Sequence, residues 1–67
     1  MLNKLELAKL DGEKITLNKL EEIEENENII ELENLGMSGL HDGYIWYCAI
    51  IEDKNGQNFE IDLYVKF

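Results

Sequence analysis

The sequence predicts a small α+β domain, in which an antiparallel sheet of three or four strands has one helix packed on one face. Three observations support this prediction. Asn55-Gly56, the strongest short-range hairpin signal, separates two apolar runs. From Phe59 onward, apolar residues alternate with polar ones to the end of the chain, as in a strand with one buried face. Thr16, with Leu20 and Ile23 at helical spacing after it, indicates a capped amphipathic helix.

The C-terminal hairpin is predicted to pair residues 44–52 with residues 57–67. If Asn55 and Gly56 form a two-residue type I′ turn, the register of the two strands follows from it. Directly opposed residues lie on the same face of a sheet. The opposed pairs on the expected core face are then Ile50 with Ile61, Cys48 with Leu63, and Trp46 with Val65.

The first ten residues fit either a strand or a short helix. Leu2 and Leu5 recur at a helical interval, whereas Leu5 and Leu7 alternate as in a strand. Asp11-Gly12 could close a hairpin between residues 4–10 and 13–17. On this basis a strand is favoured for the segment.

The helix is predicted to run from about Leu17 to Glu25. Thr16 is the expected N-cap, and Ile15 and Leu20 would form a hydrophobic staple around it. Asn26 and Asn28 are suitable residues for ending the helix.

A strand is expected from Asn28 to Leu35, with Ile30 and Leu32 on one face and Ile29 on the other. A glycine-rich loop, residues 36–43, would lead from this strand into the hairpin.

Length and composition indicate one small domain, residues 1–67, with a net charge of −9. All six basic residues are lysines, so the chain lacks the basic footprint that direct binding to nucleic acid requires. Its single cysteine, Cys48, cannot form an intramolecular disulfide and fits a reducing compartment. We find no pattern of a signal peptide or a membrane-spanning helix, and expect a cytoplasmic protein.

The negative charge is concentrated between residues 21 and 33, which include seven glutamates and no lysine. One interpretation is a partner-binding surface that imitates nucleic acid and enters a basic groove on another protein. The alternative is a solvated helix face, which is the usual meaning of a charge run. The predicted acidic surface consists of Glu21, Glu22, Glu24, Glu25, Glu27, Glu31 and Glu33.

The predicted register also leaves a half-apolar outer face on the hairpin. Such a face is either covered by the first ten residues or forms a partner or dimer interface. The residues assigned to this second candidate surface, which includes the neighbouring loop, are Ile45, Tyr47, Ile51, Tyr64, Met37 and Leu40.

No arrangement of residues indicates catalysis or a cofactor. Ser38, His41 and Asp42 are almost adjacent in the sequence, whereas catalytic triads are assembled across a fold. The chain has one histidine, and its one cysteine is expected to be buried on the core face, so the two cannot form a transition-metal site. Glu60 and Asp62 alternate along a strand without an evident pocket, so we expect a protein that is not an enzyme.

In general character, as a tiny, acidic, arginine-free chain with one helix on a small sheet, the protein resembles the accessory proteins that phages and mobile elements use against host defence. This resemblance includes no defined motif. It implies an inhibitor of the anti-CRISPR or anti-restriction type, a DNA mimic that blocks a nucleic-acid channel. The leading hypothesis is therefore a non-enzymatic binding module for a partner with a basic surface, and the alternative is a homodimeric assembly protein.

Overall fold

Two short helices and a four-stranded sheet form the fold. The computed structural model describes residues 2–53 and 55–66. In chain order the elements are α1 (Lys4–Ala8), β1 (Glu13–Ile15), α2 (Leu17–Glu24), β2 (Ile29–Met37), β3 (Tyr44–Glu52) and β4 (Asn58–Lys66). The strand order in the sheet is β1-β4-β3-β2. β2, β3 and β4 are antiparallel, and β1 adds to β4 in parallel. The α+β class and the C-terminal hairpin are confirmed. The parallel pairing of β1 was not predicted, and the first ten residues contain the short helix, the less favoured of the two alternatives.

The hydrophobic core lies between the helices and one face of the sheet. Leu7 from α1 packs there with Leu20 and Ile23 from α2. We call the opposite face, which neither helix covers, the outer face. The buried core residues contributed by the sheet are Ala49, Ile51, Ile61, Leu63 and Val65.

The N-terminal segment forms a helix, so the predicted strand is wrong. Asn3 and Glu6 make a reciprocal capping box: the Asn3 side chain accepts from the Glu6 N–H at 2.8 Å, and the Glu6 carboxylate accepts from the Asn3 N–H at 3.2 Å. One turn of helix then places Leu7 in the core with no exposed surface. The segment therefore packs on the core side of the sheet and leaves the outer face uncovered.

Asp11-Gly12 is a turn, but it does not close the predicted hairpin. Gly12 has a φ of +80°, which favours glycine, and its N–H donates to the Asp62 carbonyl at 2.7 Å. The Asp11 carboxylate accepts from the Asp62 N–H at 2.9 Å. These two bonds direct the chain onto the edge of β4, where β1 pairs in parallel.

The prediction for α2 is confirmed within one residue. The Thr16 hydroxyl accepts from the Lys19 N–H at 3.1 Å, so Thr16 is the N-cap and the helix begins at Leu17. The helix ends at Glu24 and is followed by Asn26, which is buried. The Asn26 side chain donates to the Leu2 carbonyl at 2.8 Å and accepts from the Asn28 N–H at 2.9 Å. Asn26 thus ties the N-terminal segment to the end of α2.

Replacing Asn26 with alanine should lower the free energy of unfolding by about 1–3 kcal/mol, because two partly buried backbone groups would lose their partner. Urea denaturation measures the change. Asn18→Ala, at an exposed position of α2, is the matched control and should stay within about 0.5 kcal/mol of the original protein. Equal stability of the two variants would show that the Asn26 bonds contribute nothing.

β2 contains two irregularities that the sequence pattern does not show. Ile29 lies opposite Ile51 and Leu32 opposite Ala49, both on the core face, because a bulge between them accommodates Ile30 as an extra residue. The prediction that Ile30 and Leu32 share a face is therefore wrong. A second shift in register lies between Asn34 and Met37. The strand ends at Met37, two residues beyond the predicted end at Leu35, and the loop begins at Ser38.

The hairpin register differs from the prediction by one residue. The Asp53 N–H donates to the Gln57 carbonyl at 3.1 Å, and the Gly56 N–H donates to the Asp53 carbonyl at 3.0 Å. The last pair of the ladder is Glu52 with Asn58, and the bond from Asp53 to Gln57 leaves three residues between those two positions. Gly56, with a φ of +75°, has the left-handed conformation that ends such a loop. A shift of one residue turns every side chain of one strand to the opposite face. The core-side pairs are Ile51 with Phe59, Ala49 with Ile61, Tyr47 with Leu63, and Ile45 with Val65.

Candidate functional site: the outer face of the sheet

The outer face presents a line of mostly apolar side chains between two rows of carboxylates. Ile50 of β3 lies between Glu31 of β2 and Glu60 of β4. Neighbouring strands are about 4.8 Å apart, so the two rows are separated by about 10 Å across β3. We call Glu31, Glu33, Glu60 and Asp62 the acidic rows, and Trp46, Cys48 and Ile50 the rib.

Trp46 lies at one end of the rib, opposite Tyr64. It was predicted in the core opposite Val65, but the one-residue shift places it on the outer face with 37% of its surface exposed. The indole N–H donates to an Asp62 carboxylate oxygen at 3.1 Å. This bond fixes the indole beside one of the acidic rows.

Cys48 lies in the middle of the rib, opposite Asp62, whereas it was predicted in the core opposite Leu63. Burial raises the pKa of its thiol, and the Glu60 charge raises it further. The thiol donates to a Glu60 carboxylate oxygen at 3.7 Å, and the charges of Asp62 and Glu33 act in the same direction. Both acidic rows therefore act electrostatically on Cys48, and the thiol is a poor nucleophile at neutral pH.

Alkylation of Cys48 should consequently require a more alkaline pH than alkylation of an ordinary thiol. Glu60→Gln should move the midpoint of the rate–pH profile to lower pH, because the variant removes both a negative charge and the charged hydrogen-bond acceptor. The rate of reaction with iodoacetamide measures this midpoint. Glu22→Gln, an exposed change on α2, is the control and should leave the midpoint in place. Equal midpoints for the original protein and Glu60→Gln would contradict the arrangement.

The loop of residues 38–43 covers one end of the outer face. The His41 ring packs edge-on against Tyr64, with ring centroids 4.6 Å apart, and lies 6.1 Å from Tyr44. The Ser38 hydroxyl accepts from the N–H groups of Leu40 and His41, both at 3.2 Å. Tyr64 is therefore buried although it points away from the core.

The predicted acidic surface separates into two groups. Glu21, Glu22, Glu24 and Glu25 are exposed on or at the end of α2, and Glu27 is exposed in the turn that follows. Glu31 and Glu33 instead lie on the outer face, on the opposite side of the sheet from α2. The structure brings these two glutamates together with Glu60 and Asp62, which are distant from them in the sequence.

The second predicted surface is also rearranged, because the register differs. Ile45, Tyr47 and Ile51 lie on the core face, and Ile51 has no exposed surface. Of the four hairpin residues, only Tyr64 points to the outer face, where the loop covers it. Met37 and Leu40 are highly exposed, at 66% and 79%. The dimer interface proposed from the sequence is thus not a continuous surface in the fold.

The rib residues were assigned to the core from the sequence, so the candidate site was missed there. One available signal was the run from Asp53 to Gly56, which fits a three-residue loop ending in glycine as well as a two-residue turn. The other was the pair Glu60 and Asp62, which alternate with the core residues of β4 and so mark the outer face.

Positive charge is found at the far end of the same face. Lys14 of β1 and Lys66 of β4 line an open cleft of about 450 Å³ together with Tyr44. The Lys14 ammonium lies 5.0 Å from the centroid of the Tyr44 ring, a cation–π distance. Along β4 the outer face therefore changes from acidic at Glu60 and Asp62 to basic at Lys66.

Within residues 2–53 and 55–66, no group of three or more histidine, cysteine or acidic side chains is placed to hold a metal ion. No helix in this described part of the chain is both long and apolar enough to cross a membrane. The chain matches no protein-family model, and comparisons with curated proteins and with solved structures give no significant match.

Proposed function

We propose that this chain is a non-enzymatic binding module that attaches, through the outer face of its sheet, to a basic surface on a partner protein. The observation that supports this most strongly is the rib between the acidic rows. Carboxylates on both sides of an apolar line complement a partner segment with an apolar stripe flanked by lysines or arginines. The change of sign toward Lys66 would orient that partner along the strands.

Solubility alone does not account for this arrangement. Exposed glutamates on α2 already supply negative charge on the other side of the molecule. The acidic rows flank the rib, which includes the apolar side chains of Trp46 and Ile50. A sheet face that only contacts solvent is normally polar, so solubility does not explain these apolar residues. Repulsion within the rows costs stability, and a basic partner would relieve it.

The charge also favours a different protein as the partner over a second copy of this chain. Pairing two outer faces would bring two sets of acidic rows together, and like charges placed opposite each other cost several kcal/mol. Basic surfaces with exposed grooves are typical of proteins that bind nucleic acid. We therefore propose an inhibitor or accessory role of the anti-CRISPR or anti-restriction type, in which the outer face occupies a basic nucleic-acid site.

Two variants with equal loss of charge test this assignment. The outer-face variant carries Glu31→Gln, Glu33→Gln, Glu60→Gln and Asp62→Asn; the helix variant carries Glu21→Gln, Glu22→Gln, Glu24→Gln and Glu25→Gln. The probe is a short helical peptide with one leucine stripe flanked by lysines, titrated by calorimetry at low salt. We expect the outer-face variant to bind about tenfold more weakly or worse, and the helix variant to stay within about threefold of the original protein.

Raising the ionic strength from about 0.15 M to about 1 M shortens the screening length from about 8 Å to about 3 Å and should weaken binding to the original protein. Circular dichroism would confirm that both variants are folded. If the helix variant loses binding and the outer-face variant keeps it, the partner surface lies on α2 and the assignment is wrong. If neither variant changes the affinity, the acidic residues serve solubility only.

A further inference from the structure

A small cleft opens at the Trp46 end of the rib. Ser38, Gly39 and Leu40 of the loop form one wall, and Trp46, Asp62 and Tyr64 form the other. Its volume is about 230 Å³. Pockets for drug-sized ligands usually measure about 300–1,000 Å³, so this cleft is suited to a single protein side chain.

The chemistry of the cleft selects a long cationic side chain. Two aromatic rings and one carboxylate line it, and the lining contains no basic residue. Asp62 uses one oxygen to accept from the Trp46 indole, and a carboxylate has further lone pairs for an incoming donor. Leu40, which is highly exposed, adds an apolar surface for the aliphatic part of such a side chain.

The cleft is held in shape before any partner arrives. The Ser38 N–H donates to the Tyr44 carbonyl at 2.9 Å, and the Ser38 hydroxyl accepts from two N–H groups of the loop. His41, the loop residue after Leu40, packs on Tyr64 and so anchors the loop wall to the opposite wall of the cleft. A wall that is already ordered loses little conformational entropy on binding.

We propose that this cleft accepts one arginine side chain of the basic partner, with the guanidinium stacked on Trp46 and hydrogen-bonded to Asp62. Arginine fits better than lysine because its planar guanidinium stacks on aromatic rings and donates two parallel bonds to a carboxylate. The inference rests on the proposed function, since it identifies the side chain by which the basic partner is anchored.

The test compares two versions of the short helical peptide with the leucine stripe, equal in length and charge, one with arginine and the other with lysine as its basic residues. Trp46 is the only tryptophan of the chain, so its fluorescence reports on the cleft directly. At fixed salt we expect the arginine peptide to bind about threefold to tenfold more tightly than the lysine peptide. Asp62→Asn should abolish this preference, whereas Glu31→Gln, which removes one charge of the acidic rows away from the cleft, should retain it.

Each other outcome has a distinct meaning. Equal affinity for the two peptides, or a preference that survives Asp62→Asn, would overturn the arginine cleft and leave the proposed function standing. Absence of binding by either peptide would contradict the proposed function itself. A Trp46 signal that changes with protein concentration before any peptide is added would show that a second copy occupies the cleft, which would also overturn the inference.

Discussion

Ile51→Ala should destabilise the protein by about 2–5 kcal/mol, whereas Ile50→Ala, one residue earlier on the same strand, should cost about 1 kcal/mol or less. Ile51 is fully buried between the sheet and the helices, and its truncation removes apolar contacts and leaves a cavity. Ile50 is half-buried on the outer face, where solvent can fill the space. Both variants lose the same side-chain atoms and the same strand propensity, so the difference isolates burial. Urea denaturation of the two variants measures it.

This comparison also tests the hairpin register. With a two-residue turn at Asn55-Gly56, Ile50 would be the core residue and the order of the two effects would reverse. A domain of this size has little stability to spare, so Ile51→Ala should leave a substantial unfolded fraction under native conditions. A larger loss for Ile50→Ala than for Ile51→Ala would contradict the structure.

Ile50→Lys should weaken binding of the lysine-flanked peptide about tenfold or more while leaving the protein folded. The new ammonium would stand between Glu31 and Glu60, neutralise part of the acidic rows and repel a basic partner. The same charge should relieve the repulsion between those glutamates, so thermal stability should stay constant or rise slightly. Calorimetric titration and a thermal melt measure the two effects.

Leu5→Lys is the control for this change. Leu5 is an exposed residue of α1, on the helix side of the sheet, and the variant adds the same charge far from the rib. Its affinity should stay within about threefold of the original value. Equal losses for both variants would mean that net charge, and not the outer face, determines binding.

Much of the fold could be predicted because local signals were strong. The Thr16 cap and the spacing of Leu20 and Ile23 define α2, and the alternation in β4 identifies its buried face. The N-terminal helix could not be predicted in the same way, because five residues are too few for a helix that is stable by itself. Burial of Leu7 against the core and the cap at Asn3 stabilise it in the folded chain.

The register could not be predicted because β3 is largely apolar on both faces. Trp46, Cys48 and Ile50 are as suitable for a core as Tyr47, Ala49 and Ile51, so hydrophobic alternation does not choose between them. The length of the loop between β3 and β4 determines the register, and Asn55-Gly56 is compatible with two loop lengths.

Because the register could not be predicted, the location of the candidate site could not be predicted either. Glu31 and Glu33 are close in sequence to the glutamates of α2, but the chain carries them to the other side of the sheet. Their neighbours Glu60 and Asp62 are more than twenty-five residues away in sequence, and only strand pairing brings them together around Cys48. The distribution of charge along the sequence therefore predicted that an acidic surface exists, but it did not predict where that surface lies in the fold.

The central claim is that the outer face, and not α2, contacts the basic partner. Nuclear magnetic resonance titration with the lysine-flanked peptide tests it most directly, because the Trp46 indole N–H and the Ile50 methyl groups are side-chain probes on that face. We predict that both signals shift progressively to saturation, while the backbone amides of Glu21, Glu22 and Glu24 stay unchanged. Shifts confined to those amides of α2, with the Trp46 and Ile50 signals unmoved, would contradict the claim.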